Sequence, residues 1–155
     1  MLIPEDLKKF LLDKGFVSAG TCDLDGQPNA VPKYIIKIED GFIYLADYVI
    51  GRTSKNLKIN PRISLSTIDM NTLESWQING AASMITDKAQ HKRLLKAMIG
   101  QEVRHSAKRV MEDVRGTQKY DSYQVSFPEK VVIFKVRCEK ITKISITGKL
   151  HIERA

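Results

Sequence analysis

A chain of 155 residues, 43% hydrophobic and 28% charged, has the size and composition of one globular domain (residues 1–155) that buries its own core, which excludes disordered and fibrous readings. No run approaches the roughly 18 apolar residues that span a bilayer, and Met1-Leu2-Ile3-Pro4-Glu5-Asp6 lacks the basic and apolar regions of a signal peptide, so a cytosolic protein with no membrane partner is expected. The net charge of +7 favours an anionic partner: a phosphorylated cofactor, an acidic substrate or nucleic acid.

Pro4 suits a first helical turn, Leu7, Phe10 and Leu11 share a face, and Gly15 supplies a left-handed stop, so the chain opens on a short amphipathic helix. Phe16 to Thr21 reads as a strand, Asp23-Leu24-Asp25-Gly26 as a hairpin turn, and Ala30 to Ile38 as the partner strand. Glu39-Asp40-Gly41 repeats the turn signal before a strand from Phe42 to Ala46. The first half is thus an antiparallel meander.

Gly51-Arg52-Thr53-Ser54-Lys55-Asn56-Leu57 then reads as a loop opening a short helix, which Asn60-Pro61 ends because the residue before proline avoids helical backbone. Arg62 to Ile68 is a strand, and Leu73 to Ile85 alternates as a longer one that bends at Gly80. From Asp87 to about Val114 the period is helical, through Leu94, Leu95, Met98, Val103, Ala107, Val110 and Met111, with Gly100 dividing two helices. Strands are expected again over Tyr120 to Phe127, Val131 to Val136 and Lys140 to Thr147. Many short antiparallel strands around a helical insert (about 87–115) predict a mainly β chain closed into a barrel, since closure removes unpaired edges.

Cys22 and Cys138 match no metal or redox spacing, and His91, His105 and His151 form no ligand cluster, so ordinary thiols, ordinary helix or tail histidines and no metal site are expected. The chemistry concentrates from Pro32-Lys33-Tyr34 through Tyr44-Leu45-Ala46-Asp47 to Arg52-Thr53-Ser54-Lys55-Asn56. A helix amino terminus offers unpaired N–H groups and partial positive charge to a phosphate. Arg52 adds a planar fork of donors, Thr53 and Ser54 add hydroxyls, and Lys55 or Lys33 adds point charge. Taken singly, each of these is equally a solvated cation or a helix cap. No G-x-x-x-x-G-K or G-x-G-x-x-G string is present, which sets aside triphosphate-loop and Rossmann readings.

The order of elements resembles the pyridoxamine-phosphate-oxidase-like, FMN-binding split-barrel group. The likeness rests on Leu24 to Pro28, Val31-Pro32-Lys33-Tyr34, Gly41-Phe42-Ile43-Tyr44, Arg52 to Leu57, Asn60 to Leu65 and Ile78-Asn79-Gly80-Ala81. It implies an antiparallel split β-barrel with an N-terminal helix and a central helical insert. It further implies FMN beside Val31, Pro32 and Lys33, with Ala46 and Asp47 at the end of the second strand. Arg52 and Thr53, assisted by Lys55, would take the phosphate, and Trp76 and Gln77 would lie near a polar contact to the flavin. A homodimer with the cofactor at its interface and FMN-dependent oxidoreductase activity on a small molecule follow from the same resemblance.

The tail offers no counterpart for the arginine, tyrosine, serine and histidine positions that hold substrate in the family's named oxidase. Relatives that use deazaflavin or haem are the rivals within the group. The rival outside it is a basic nucleic-acid-binding protein, suggested by Lys88, His91, Lys92, Arg93, Lys96, Arg104, His105, Lys108, Arg109 and Arg115. Those cations spread around the helix as a solvated face would, and no helix-turn-helix or zinc-finger signature accompanies them.

Overall fold

The computed structural model describes residues 2–48, 50–113 and 131–154. Its elements are α1 (Glu5–Lys14), β1 (Phe16–Cys22), β2 (Pro28–Glu39), β3 (Phe42–Asp47), α2 (Arg52–Ile59), β4 (Arg62–Ile68), β5 (Ser75–Met84), α3 (Lys88–Asp113), β6 (Val132–Ile144) and β7 (Leu150–Arg154). Gly15 ends α1 at φ 74°, a conformation that costs a side-chain-bearing residue free energy but suits glycine.

The sheet runs β3-β2-β1-β4-β5-β6-β7, and β3 also pairs with β6, so six antiparallel strands close into a barrel. Residues from β1 to β6, including Val17, Ala19, Ile35, Leu45, Leu65, Ile78 and Phe134, fill the inside, joined by Leu7 and Leu11 of α1 and Leu57 of α2. At about 1.5–3 kcal/mol for each large side chain, this burial is what holds the two short helices to the barrel. A second cluster lies outside, where Leu94 and Met98 of α3 cover Tyr34, Ile36, Tyr44, Ala46 and Ile133. Consecutive residues of β3 and of the second half of β2 thereby serve two cores, which explains the nearly unbroken burial from Lys33 to Ile38 and from Ile43 to Asp47.

The expected bend at Gly80 is a register slip between Asn79 and Gly80, where a Cβ would stand 2.0 Å from Arg137 O. Elsewhere the expectations need correction. Gly100 does not divide the insert: α3 is one helix to Asp113. An interior glycine costs only about 1 kcal/mol, less than is gained where Leu94 and Met98 are buried and Gln101 Oε1 accepts from Tyr34 Oη at 3.4 Å.

The two strands expected over Val131 to Val136 and Lys140 to Thr147 are a single strand, β6. Arg137 and Glu139, which interrupt the apolar run, reach outward to each other while Cys138 between them stays buried. A short turn at Gly148 (φ 76°) then leads into β7, which the sequence reading missed. Its residues are mostly exposed and so carry no strong alternation. The strand expected over Tyr120 to Phe127 and the end of the insert at Val114 lie outside the described residues.

Candidate functional site

The register that sets Tyr34 opposite Ala46 also sets Lys33 opposite Asp47. Lys33 shares its face with its other cross-strand neighbour, Val17, which belongs to the inner core. Both ionic side chains are therefore inside the barrel, Nζ to Oδ2 2.8 Å apart and 6% and 7% exposed. Lys33 is thus held by Asp47 rather than presented as a free point charge. Val31 is half-buried and Pro32 exposed on the same strand, and Ala46 faces the outer core.

Gly51 stands at the cap position before α2, and among the described residues no side chain caps the helix. The first-turn N–H groups are consequently left for water or a ligand. Arg52 and Lys55, three apart and both exposed, stand on one side of this helix start. Thr53 and Ser54 are buried instead. Thr53 Oγ1 accepts from Asn29 Nδ2 at 3.1 Å, whereas Ser54 Oγ has no partner among the described residues. An uncapped positive helix end, two accessible cations and an orphaned hydroxyl in the first turn fit a phosphate.

Asn29 joins this helix start to a groove of about 420 Å3 on the outside of the barrel. Its floor is one register row, Ala30, Gly20, Ser64 and Asn79, across β2, β1, β4 and β5. The small side chains keep that floor flat, and at Gly20 a Cβ would meet only Ser64 O at 3.5 Å. Arg62 and Glu139 pair across its rim at 2.9 Å. Cys22 also lines the groove, its Sγ receiving Asn60 Nδ2 at 3.3 Å. Gln77 lies on the outer face too, donating to Ser64 Oγ at 3.4 Å.

Trp76, the one tryptophan, is placed apart from that groove lining. It is buried in the inner core with its ring 4.7 Å from that of Phe10 on α1, and Lys143 Nζ is 5.1 Å from the indole centroid. Its placement is that of a packing aromatic. His91 is half-buried, with Nε2 2.9 Å from Val131 O. Burial pushes the Cys138 thiol up to about 12, which keeps it protonated and unreactive. Among the described residues no cluster of His, Cys, Asp or Glu is arranged to hold a metal, and no helix is long and apolar enough to cross a membrane.

Residues 3–141 match the family model described as pyridoxamine 5'-phosphate oxidase. The chain belongs to that family. Its fold is that of several solved structures. A Clostridium acetobutylicum protein related to general stress protein 26, of the pyridoxinephosphate oxidase family, superposes with TM-score 0.68 at 18% identity, covering 98% of this chain and 96% of that one. HupZ of Group A Streptococcus gives 0.67 at 19% identity over 94% and 96% of the two chains. A FAD-binding protein of Mesorhizobium loti gives 0.62 at 19% over 92% of each. None of the curated proteins matches.

The sequence reading missed Asn29, Asn79 and Ser64 as groove residues. Asn29 and Asn79 are ordinary polar residues at strand positions, and only the folded sheet brings Asn79 opposite Ser64 and Asn29 onto Thr53 of α2.

Proposed function

We propose that the chain is an FMN-binding flavoprotein, an FMN-dependent oxidoreductase acting on a small molecule. The observation that carries this reading is the uncapped start of α2, with Arg52 and Lys55 exposed and Ser54 Oγ orphaned, opening beside a flat groove in a chain of this family. The guanidinium of Arg52 offers the paired donors that a phosphate monoester accepts, and Lys55 adds charge. Lys33 and Thr53 act from behind, Lys33 by neutralising Asp47 within the barrel and Thr53 by fixing the helix start. Bound FMN would supply the electron-transfer chemistry, and the protein its placement and the exclusion of water.

In this reading the protein is a homodimer, with a second copy covering the flat outer face. Gly20, Ala30 and Ser64 leave that face free of projections, and Phe16 of β1, Ile68 of β4 and Leu150 and Ile152 of β7 expose apolar surface on the sheet. The visible absorption spectrum of purified protein, with mass identification of whatever is released on denaturation, tests the assignment. Released FMN, and its loss in Arg52→Ala, are the expected results; mass separates FMN from a deazaflavin. A colourless protein that takes up neither FMN, deazaflavin nor haem overturns it.

A further inference from the structure

We propose that Asn29 is a positioning residue for the anion site at the start of α2, an inference that rests on the phosphate reading above. A helix end that is to receive an anion faces two conflicting needs. A side-chain cap would hold the first turn in place but would consume the N–H groups that the ligand requires. Without a cap the turn frays, and frayed N–H groups do not converge on a ligand.

Here the first turn is held from outside the helix. Gly51 provides no cap, and Asn29 on β2 donates through Nδ2 to Thr53 Oγ1 at 3.1 Å. The same Nδ2 reaches Thr21 Oγ1 on β1 at 3.4 Å, and Asn56 of α2 donates to that oxygen at 3.2 Å. Thr21 and Asn29 are direct cross-strand partners, so α2 is tied to a rigid strand pair at its first turn and again near its middle. None of these bonds uses a backbone N–H of the first turn. The arrangement anchors the turn by its side chains and leaves its donors to the ligand. Because Asn29 also lines the groove, it fixes the helix start relative to the surface on which the rest of the ligand would lie.

The test is titration of the whole apo-protein with FMN and with riboflavin, which lacks the phosphate, followed by quenching of flavin fluorescence. The ratio of the two Kd values measures phosphate preference. Asn29→Ala is expected to lower that preference about fivefold or more, the size of losing one helix cap. Thr53→Val, which exchanges hydroxyl for methyl, is expected to do the same, Thr53→Ser to retain the preference, and the double variant to be no worse than either single one. Thr53→Val carries the test should Asn29→Ala fail to fold.

An unchanged preference in both variants, with Arg52→Ala abolishing it, overturns the role of Asn29 and leaves the phosphate reading intact. Equal weakening of both flavins also overturns it, since that is the signature of general support for the fold. A wild-type protein that binds no flavin, or binds riboflavin as tightly as FMN, removes the phosphate reading and this inference with it.

Discussion

Lys33 and Asp47 face each other across β2 and β3 inside the barrel, Nζ to Oδ2 2.8 Å apart, with about one-fifteenth of either side chain exposed. Such a pair recovers most of its desolvation cost only while both charges are present. Lys33→Met is therefore expected to cost about 3–5 kcal/mol in urea unfolding, because it strips the neutralising cation from a carboxylate buried at 5% exposure. Lys33→Met with Asp47→Leu removes both charges and is expected to recover much of that loss. If the double variant is no more stable than the single one, the pair is not the source of the effect.

Gly20 on β1 and Gly80 on β5 separate backbone approach from open space. At Gly80 a Cβ would stand 2.0 Å from Arg137 O, a backbone atom on β6, so Gly80→Ala must displace a strand and is expected to cost several kcal/mol, on the scale of about 3 or more. At Gly20 the nearest atom is Ser64 O at 3.5 Å, ordinary contact, and Gly20→Ala is expected to stay within about 1 kcal/mol of wild type. Equal unfolding midpoints for the two variants would contradict the strand approach at the register slip.

The barrel was legible because its signals are local. Turn residues such as Gly26 and Gly41 adopt positive φ as their neighbours suggest, and Asn60-Pro61 follows directly on the end of α2. Gly100 misled because a glycine weakens a helix by less than the burial around it restores. β6 read as two strands because the outward pair Arg137 and Glu139 breaks the apolar pattern at the register slip, on either side of which Cys138 pairs with Gly80 and Lys140 with Asn79.

The candidate site was partly legible. Arg52 and Lys55 could be placed from helix-start chemistry, but the burial of Lys33 depends on the register of β2 against both β1 and β3, which composition does not encode. Trp76, which the resemblance puts near a polar contact to the flavin, packs against Phe10 of α1, because alternation along β5 sets its face and Gln77 takes the other.

The two cysteines are expected to differ in reactivity and to leave a mark on stability at high pH. Cys22 is half-buried in the groove and Cys138 fully buried, so an aromatic disulfide reagent should titrate one thiol in the native protein and two after unfolding. Burial raises the Cys138 pKa from the ordinary 9.0 to about 12. Below about pH 9 the thiol is protonated in both states, and its contribution to stability is complete. Above 9 the unfolded chain releases this proton while the native chain keeps it, so the native state binds more protons and stability falls as pH rises. The loss approaches about 1.4 kcal/mol per pH unit and ends near the native pKa. Urea unfolding between pH 7.5 and 10.5 should therefore show a steeper decline in wild type than in Cys138→Ala, whatever offset the lost sulfur adds at neutral pH. Parallel profiles would mean that Cys138 reaches solvent, and with it that the β5–β6 side of the inner core is less closed than its packing implies.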